Sequence, residues 1–116
     1  MLIAEDEAPL RELLHDFLAS QGYEVVAVAT GPQVLEAVPT FQPDVIVVDM
    51  VLPGLSGIEI LAALRQAACT VPVILTSGHQ VAVREGFFEV LRKPFTFRRL
   101  VEVVAAAVDH GRTSSA

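Results

Sequence analysis

The sequence predicts an α/β fold in which helices cover both faces of a parallel, five-stranded sheet. Short β-branched runs alternate with helical stripes five times along the chain, a rhythm of strand-helix units. The central run, Val45 to Val48, shows no in-out alternation and so reads as a strand buried on both faces. It runs straight into Asp49, and the turn signal Pro53-Gly54 follows almost at once. A chain of 116 residues accommodates one such domain and is too short for two.

Leu2-Ile3-Ala4 is the first strand, and it delivers Glu5, Asp6 and Glu7 to its carboxyl end. Pro9 suits the first turn of a helix, whose apolar face is Leu10, Leu13, Leu14, Phe17 and Leu18 and which Gly22 stops. Glu24 to Val28 is the second strand; Thr30-Gly31-Pro32 opens a second helix that Pro39 closes. After the central strand, Ser56 and Glu59 have the spacing of a capping box. Gly57 to Ala68 is thus a third helix, with Ile58, Leu61 and Leu64 inward. Val71 to Leu75 is the fourth strand, tolerating Pro72 near its start. His79 to Glu85, with Val81 and Val83 at spacing two and Gly86 just beyond, supports only a short or irregular fourth helix. Phe87 to Leu91 is the fifth strand. Thr96 caps a last helix with Phe97, Leu100, Val101, Val104 and Val108 on its apolar face and Gly111 at its end. The domain is therefore expected over residues 1–111, with 112–116 a frayed end or the start of a linker.

Composition narrows the setting. Hydrophobic residues make up 53%, yet no apolar run is long enough for a bilayer and no secretory leader opens the chain, so a soluble, cytoplasmic protein is expected. Cys69 is alone, which excludes an internal disulfide; it reads as a small buried hydrophobe on a helix. A net charge of −6 argues against a nucleic-acid surface. Lys93 is the sole lysine; the other cations are arginines.

In a parallel sheet all carboxyl ends point one way, so Glu5-Asp6, Asp49, Thr76-Ser77 and Lys93 converge on one edge. Each has an ordinary alternative: acids and hydroxyls open turns and cap helices, and a loop lysine is solvated. Together, three carboxylates from two adjacent strands make a hard oxygen site suited to Mg²⁺. Thr76 offers a hydroxyl proton and Lys93 a compact positive charge to a phosphate oxygen. The set supports phosphoryl transfer onto a carboxylate, with Asp49 as nucleophile.

With these motifs in view, the acidic pair in LIAEDE, VIVVDMVLPGLSG, VILTSGH and LRKPF, the chain resembles the receiver domains of bacterial two-component response regulators. The resemblance implies a flavodoxin-like, doubly wound sheet of order 2-1-3-4-5. It implies that Asp49 takes a phosphoryl group from a histidine kinase or histidine phosphotransfer protein. It further implies that Asp6 and Asp49 bind Mg²⁺, with Glu5 assisting through water and the Val51 carbonyl completing the protein's share. Thr76 and Lys93 would contact the phosphate, and the Lys93-Pro94 bond would be cis. Glu5 stands where the family often has Asp. Val90 stands where an aromatic residue usually precedes the lysine by three positions, and 93 − 76 = 17 positions separate hydroxyl and lysine, fewer than is usual. This shortened form looks like receivers fused to hybrid sensor histidine kinases.

Other readings use the same residues. A degenerate receiver that binds partners without phosphorylation is opposed by intact Asp6, Asp49, Thr76 and Lys93 and is left open by Val90. A Mg²⁺-dependent phosphatase of haloacid dehalogenase type would need an acid two residues after the nucleophile, where Val51 stands. Nucleotide or flavin binding would need glycines in the Glu5 to Pro9 loop, which has none.

Overall fold

The computed structural model describes residues 1–82 and 84–114, and among these five strands and four helices follow one another. They are β1 (Leu2–Ala4), α1 (Ala8–Ser20), β2 (Val26–Val28), α2 (Gly31–Phe41), β3 (Ile46–Asp49), α3 (Gly57–Gln66), β4 (Val73–Ser77), β5 (Glu89–Arg92) and α4 (Phe97–Ser114). All pairings are parallel, in the order β2-β1-β3-β4-β5. This is the flavodoxin-like arrangement, with β3 at the centre and its carboxyl end flanked by those of β1 and β4.

β3 explains why its sequence does not alternate. Val45 and Val47 pack with Leu14, Leu18, Leu100 and Val104 of α1 and α4, while Ile46 and Val48 pack with Val34, Ile60, Leu61 and Leu64 of α2 and α3. Both faces are dry, so both parities are apolar. Full burial of such a side chain contributes about 1.5–3 kcal/mol, and β3 is where the two cores share a wall.

Several element ends differ from the sequence expectation. α2 runs through Pro39 and stops at Gln42, which adopts φ 53° and donates its N–H to the Val38 carbonyl. So near the helix end, Pro39 forfeits a single N–H bond and leaves the last turn in place. α3 ends at Gln66, since Ala68 turns to φ 60°; Cys69 lies past the helix and is half-buried. Ile58 does not face inward but is 39% exposed. The buried stripe of α3 is Gly57, Ile60, Leu61 and Leu64, spaced i, i+3, i+4, i+7, and Ile58 sits one residue off that line. Leu13 of α1 is likewise 58% exposed beside buried Leu14. β2 is shorter than expected, β5 begins two residues later, and β4 both begins and ends two residues later, which brings Thr76 and Ser77 inside a strand. α4 continues past Gly111 to Ser114, because one helical glycine costs only about 1 kcal/mol relative to alanine.

Between β4 and β5 the described residues form bends and a turn, with no helix. Val81 fills the space by burying itself in the α2–α3 core; Val83 lies outside the described residues. Among the described residues no helix is long and apolar enough to cross a membrane.

Candidate functional site

Strand register builds the site. Asp49 is the last residue of β3 and pairs directly with Thr76 of β4, so a carboxylate and a hydroxyl leave the same rung of the sheet. Glu5 and Asp6 follow β1, the neighbour on the other side. Lys93 follows β5, its N–H held by the Ser77 carbonyl at 2.7 Å and its bond to Pro94 cis, as the resemblance implied.

Side chains from three strands then meet. The Lys93 ammonium donates to Glu5 Oε1 at 2.7 Å and to Asp49 Oδ2 at 3.0 Å, spanning 88 and 44 positions of sequence. Glu5 is 2% exposed, and its other oxygen accepts the Glu7 N–H at 3.2 Å. Asp49 is also buried, whereas Asp6 is open to solvent. One carboxylate oxygen from each of Glu5, Asp6 and Asp49 lies within 4.8 Å of the others. Three carboxylates face one ammonium, so the cluster keeps an excess of negative charge and of hard oxygen donors. That donor set fits Mg²⁺.

Burial pushes the Glu5 carboxyl above the usual carboxylate range, against the opposing pull of its bonds to Lys93 and the Glu7 N–H. Burial also draws Lys93 down, but its bonds to Glu5 and Asp49 together outweigh that, and it is held above its ordinary value. The ammonium is therefore charged at neutral pH. Thr76 is buried, and its hydroxyl donates to the Val48 carbonyl at 3.5 Å, the long limit of a hydrogen bond. Redirecting it to a better acceptor would sacrifice little. Ser77 turns away and closes its own loop, donating to the His79 carbonyl and accepting the His79 N–H. Val51, in the loop after β3, is 68% exposed.

The structure thus brings Glu5, Asp6, Asp49, Thr76 and Lys93 to one edge and places Val51 two residues beyond Asp49. Sequence reasoning missed Arg11, whose guanidinium donates to the Glu5 carbonyl at 2.9 Å and the Asp6 carbonyl at 3.4 Å and so fixes the acidic loop. Its signal was a cation near the amino end of a helix, where the helix dipole disfavours one. Gly57 was also missed. A Cβ there would meet Leu75 Cδ1 at 2.5 Å and the Asp49 carbonyl oxygen at 3.1 Å, so glycine lets α3 start directly behind the central carboxylate.

Comparison with known proteins agrees with this geometry. Residues 1–105 match the family model of the response regulator receiver domain. The DNA-binding transcriptional regulator NtrC of Escherichia coli is 31% identical over 93% of this chain, which spans 24% of NtrC's length. The signal receiver domain of a LuxO repressor protein from Vibrio parahaemolyticus superposes with a TM-score of 0.91 at 24% identity, over 98% of this chain and 92% of that one. The response regulator protein TrrA of Thermotoga maritima, in complex with Mg²⁺-BeF, superposes at 0.83 with 27% identity, over 91% and 96% of the two chains.

Proposed function

This chain belongs to the response regulator receiver domain family, and from that premise we propose that it accepts a phosphoryl group on Asp49 from a phosphohistidine of a histidine kinase or histidine phosphotransfer protein. Glu5, Asp6 and Asp49, with the Val51 carbonyl, would hold Mg²⁺. When bound, that ion would supply positive charge to the phosphoryl group in transfer.

The observation that carries the reading is the Lys93 ammonium seated between Glu5 and Asp49 on the edge where Thr76 pairs with Asp49. In the transfer, an Asp49 oxygen forms a bond to phosphorus as the nitrogen–phosphorus bond of the donor breaks, and that bond's electron pair returns to the imidazole. Lys93, already bonded to Asp49, is placed to move onto an oxygen of the transferred group. Glu5 keeps the ammonium in the site meanwhile. Thr76 exchanges its long bond to Val48 for a phosphate oxygen, a charge-assisted and stronger acceptor. The Ser77 to Phe88 segment, which joins the hydroxyl strand to the lysine strand, is the element that would register the change.

The test is intact mass after incubation with an acyl phosphate donor and Mg²⁺. The native chain should gain one phosphoryl group, while Asp49→Asn, or the native chain with chelator, should gain none. No mass gain in the native chain overturns the reading. Turnover of a phosphate ester would favour the phosphatase instead.

A further inference from the structure

The loop between β3 and α3, residues 50–56, rests on the amino end of α2 through contacts that depend on glycine. Gly31 is buried, and its N–H donates to the Pro53 carbonyl at 3.0 Å. A Cβ on Gly31 would lie 2.5 Å from Leu55 Cβ, 2.9 Å from the Leu55 carbonyl oxygen and 3.0 Å from its nitrogen. The last two are backbone atoms, so no rotamer change relieves the clash. Gly54, at φ +89°, approaches the same contact from the loop side: a Cβ there would lie 2.7 Å from Pro32 Cδ. The loop's base is fixed separately, by the Met50 N–H on the Thr76 carbonyl at 2.8 Å and the Gly57 N–H on the Met50 carbonyl at 2.9 Å. Val51 therefore hangs between two anchors, one on the sheet and one on α2.

We propose that Gly31 is a positioning residue for the divalent-metal site: by seating the loop tip on α2, it fixes the backbone of Val51 beside the acidic trio. This rests on the reading of Val51 as a metal ligand. Gly31 touches no ligand itself, and its effect reaches the ion only through the loop. A side chain at 31 must lift Leu55 and Pro53 and carry the intervening backbone with them. Groups that orient ligands from behind typically change metal affinity by about 10–100-fold when lost, and the lower end is expected here because the carboxylates are held independently.

The experiment is calorimetric titration of Mg²⁺ into the metal-free chain, with circular dichroism to confirm folding. Native protein, Gly31→Ala, Gly54→Ala and Gln33→Ala are compared. Gln33 accepts the Ala29 and Thr30 N–H groups in the cap of α2, so its loss weakens the same helix end without pressing on the loop. Gly31→Ala and Gly54→Ala should each bind Mg²⁺ about tenfold more weakly, while Gln33→Ala lowers the thermal midpoint and keeps native affinity. If native protein takes up no Mg²⁺, the metal reading falls and this inference with it. If native protein binds and both glycine variants stay within about twofold, the inference is overturned and the metal reading stands. Equal weakening in Gly31→Ala and Gln33→Ala also overturns it, since the effect would then be general loosening of α2. Should Gly31→Ala fail to fold, Gly54→Ala, at the exposed loop tip, decides the matter.

Discussion

Two loops flank Asp49, and they are held in different ways. Residues 50–56 are tied at the base by hydrogen bonds of Met50 and Gly57 and at the tip by Gly31, and their exit is fixed by the Ser56–Glu59 capping box. Residues 78–88 span the gap between β4 and β5 with no helix among the described residues. Their attachments include the paired bonds of the Ser77 hydroxyl to the His79 backbone, buried Val81, Gly86 against Leu61, Phe87 and Phe88 packed on the two cores, and the Phe88 N–H on the Val73 carbonyl. Arg84 adds a 3.6 Å ion pair to Glu89 and a 3.4 Å bond to the Val90 carbonyl. Exposed pairs of that length contribute about 0–1 kcal/mol. On the proposed reading, the difference follows from what each loop serves. Mg²⁺ demands near-ideal octahedral geometry, which rewards a rigid loop, whereas a phosphate signal needs an element close to its folding limit.

The largest expected effect tests what both loops stand on. Leu75→Ala removes a fully buried side chain from β4 that also backs Gly57, and should lower global stability by about 3 kcal/mol in denaturant unfolding. Both loops should lose amide protection together. Val81→Ala removes the buried anchor of the second loop and should cost about 2 kcal/mol locally. Hydrogen exchange should speed up across residues 78–88 with little change across 50–56; equal loosening of both would break the contrast. Phosphorylation, or a phosphoryl mimic on Asp49, should change exchange in 78–88 by about tenfold, equivalent to about 1.4 kcal/mol, and in 50–56 by much less. Unchanged protection in 78–88 would remove that segment as the switch. The smallest effect on stability belongs to Asp6→Asn. Asp6 is exposed, and the metal-free stability should change by less than about 0.5 kcal/mol, while the midpoint rise produced by Mg²⁺ in native protein should largely disappear.

Much of this molecule was legible in short stretches. The unalternating Val45 to Val48 run announced a two-faced strand, Ser56 and Glu59 announced a helix start, and the acids after β1 and β3 announced a reactive edge. Each of these depends on neighbours within about one helical turn or one strand rung, so local composition carries the signal. The misreadings share a different character. Leu13 and Ile58 fit a helical stripe and yet are exposed, because a stripe fixes which residues share a side and the packed sheet fixes where that side ends. Pro39 was given the force of a stop where the chain lost a single bond.

The sequence by itself determined the inventory and the order: carboxylates, hydroxyl and lysine, each at the end of an apolar run. Tertiary structure decided that one ammonium would serve two acids 88 and 44 positions away, and that Gly31 would receive Leu55 where no side chain fits. Those contacts arise from strand order and from backbones approaching within van der Waals distance. Neither leaves a local trace, because the free energy of a long-range contact is set by what the fold brings opposite a residue and not by what precedes it in the chain.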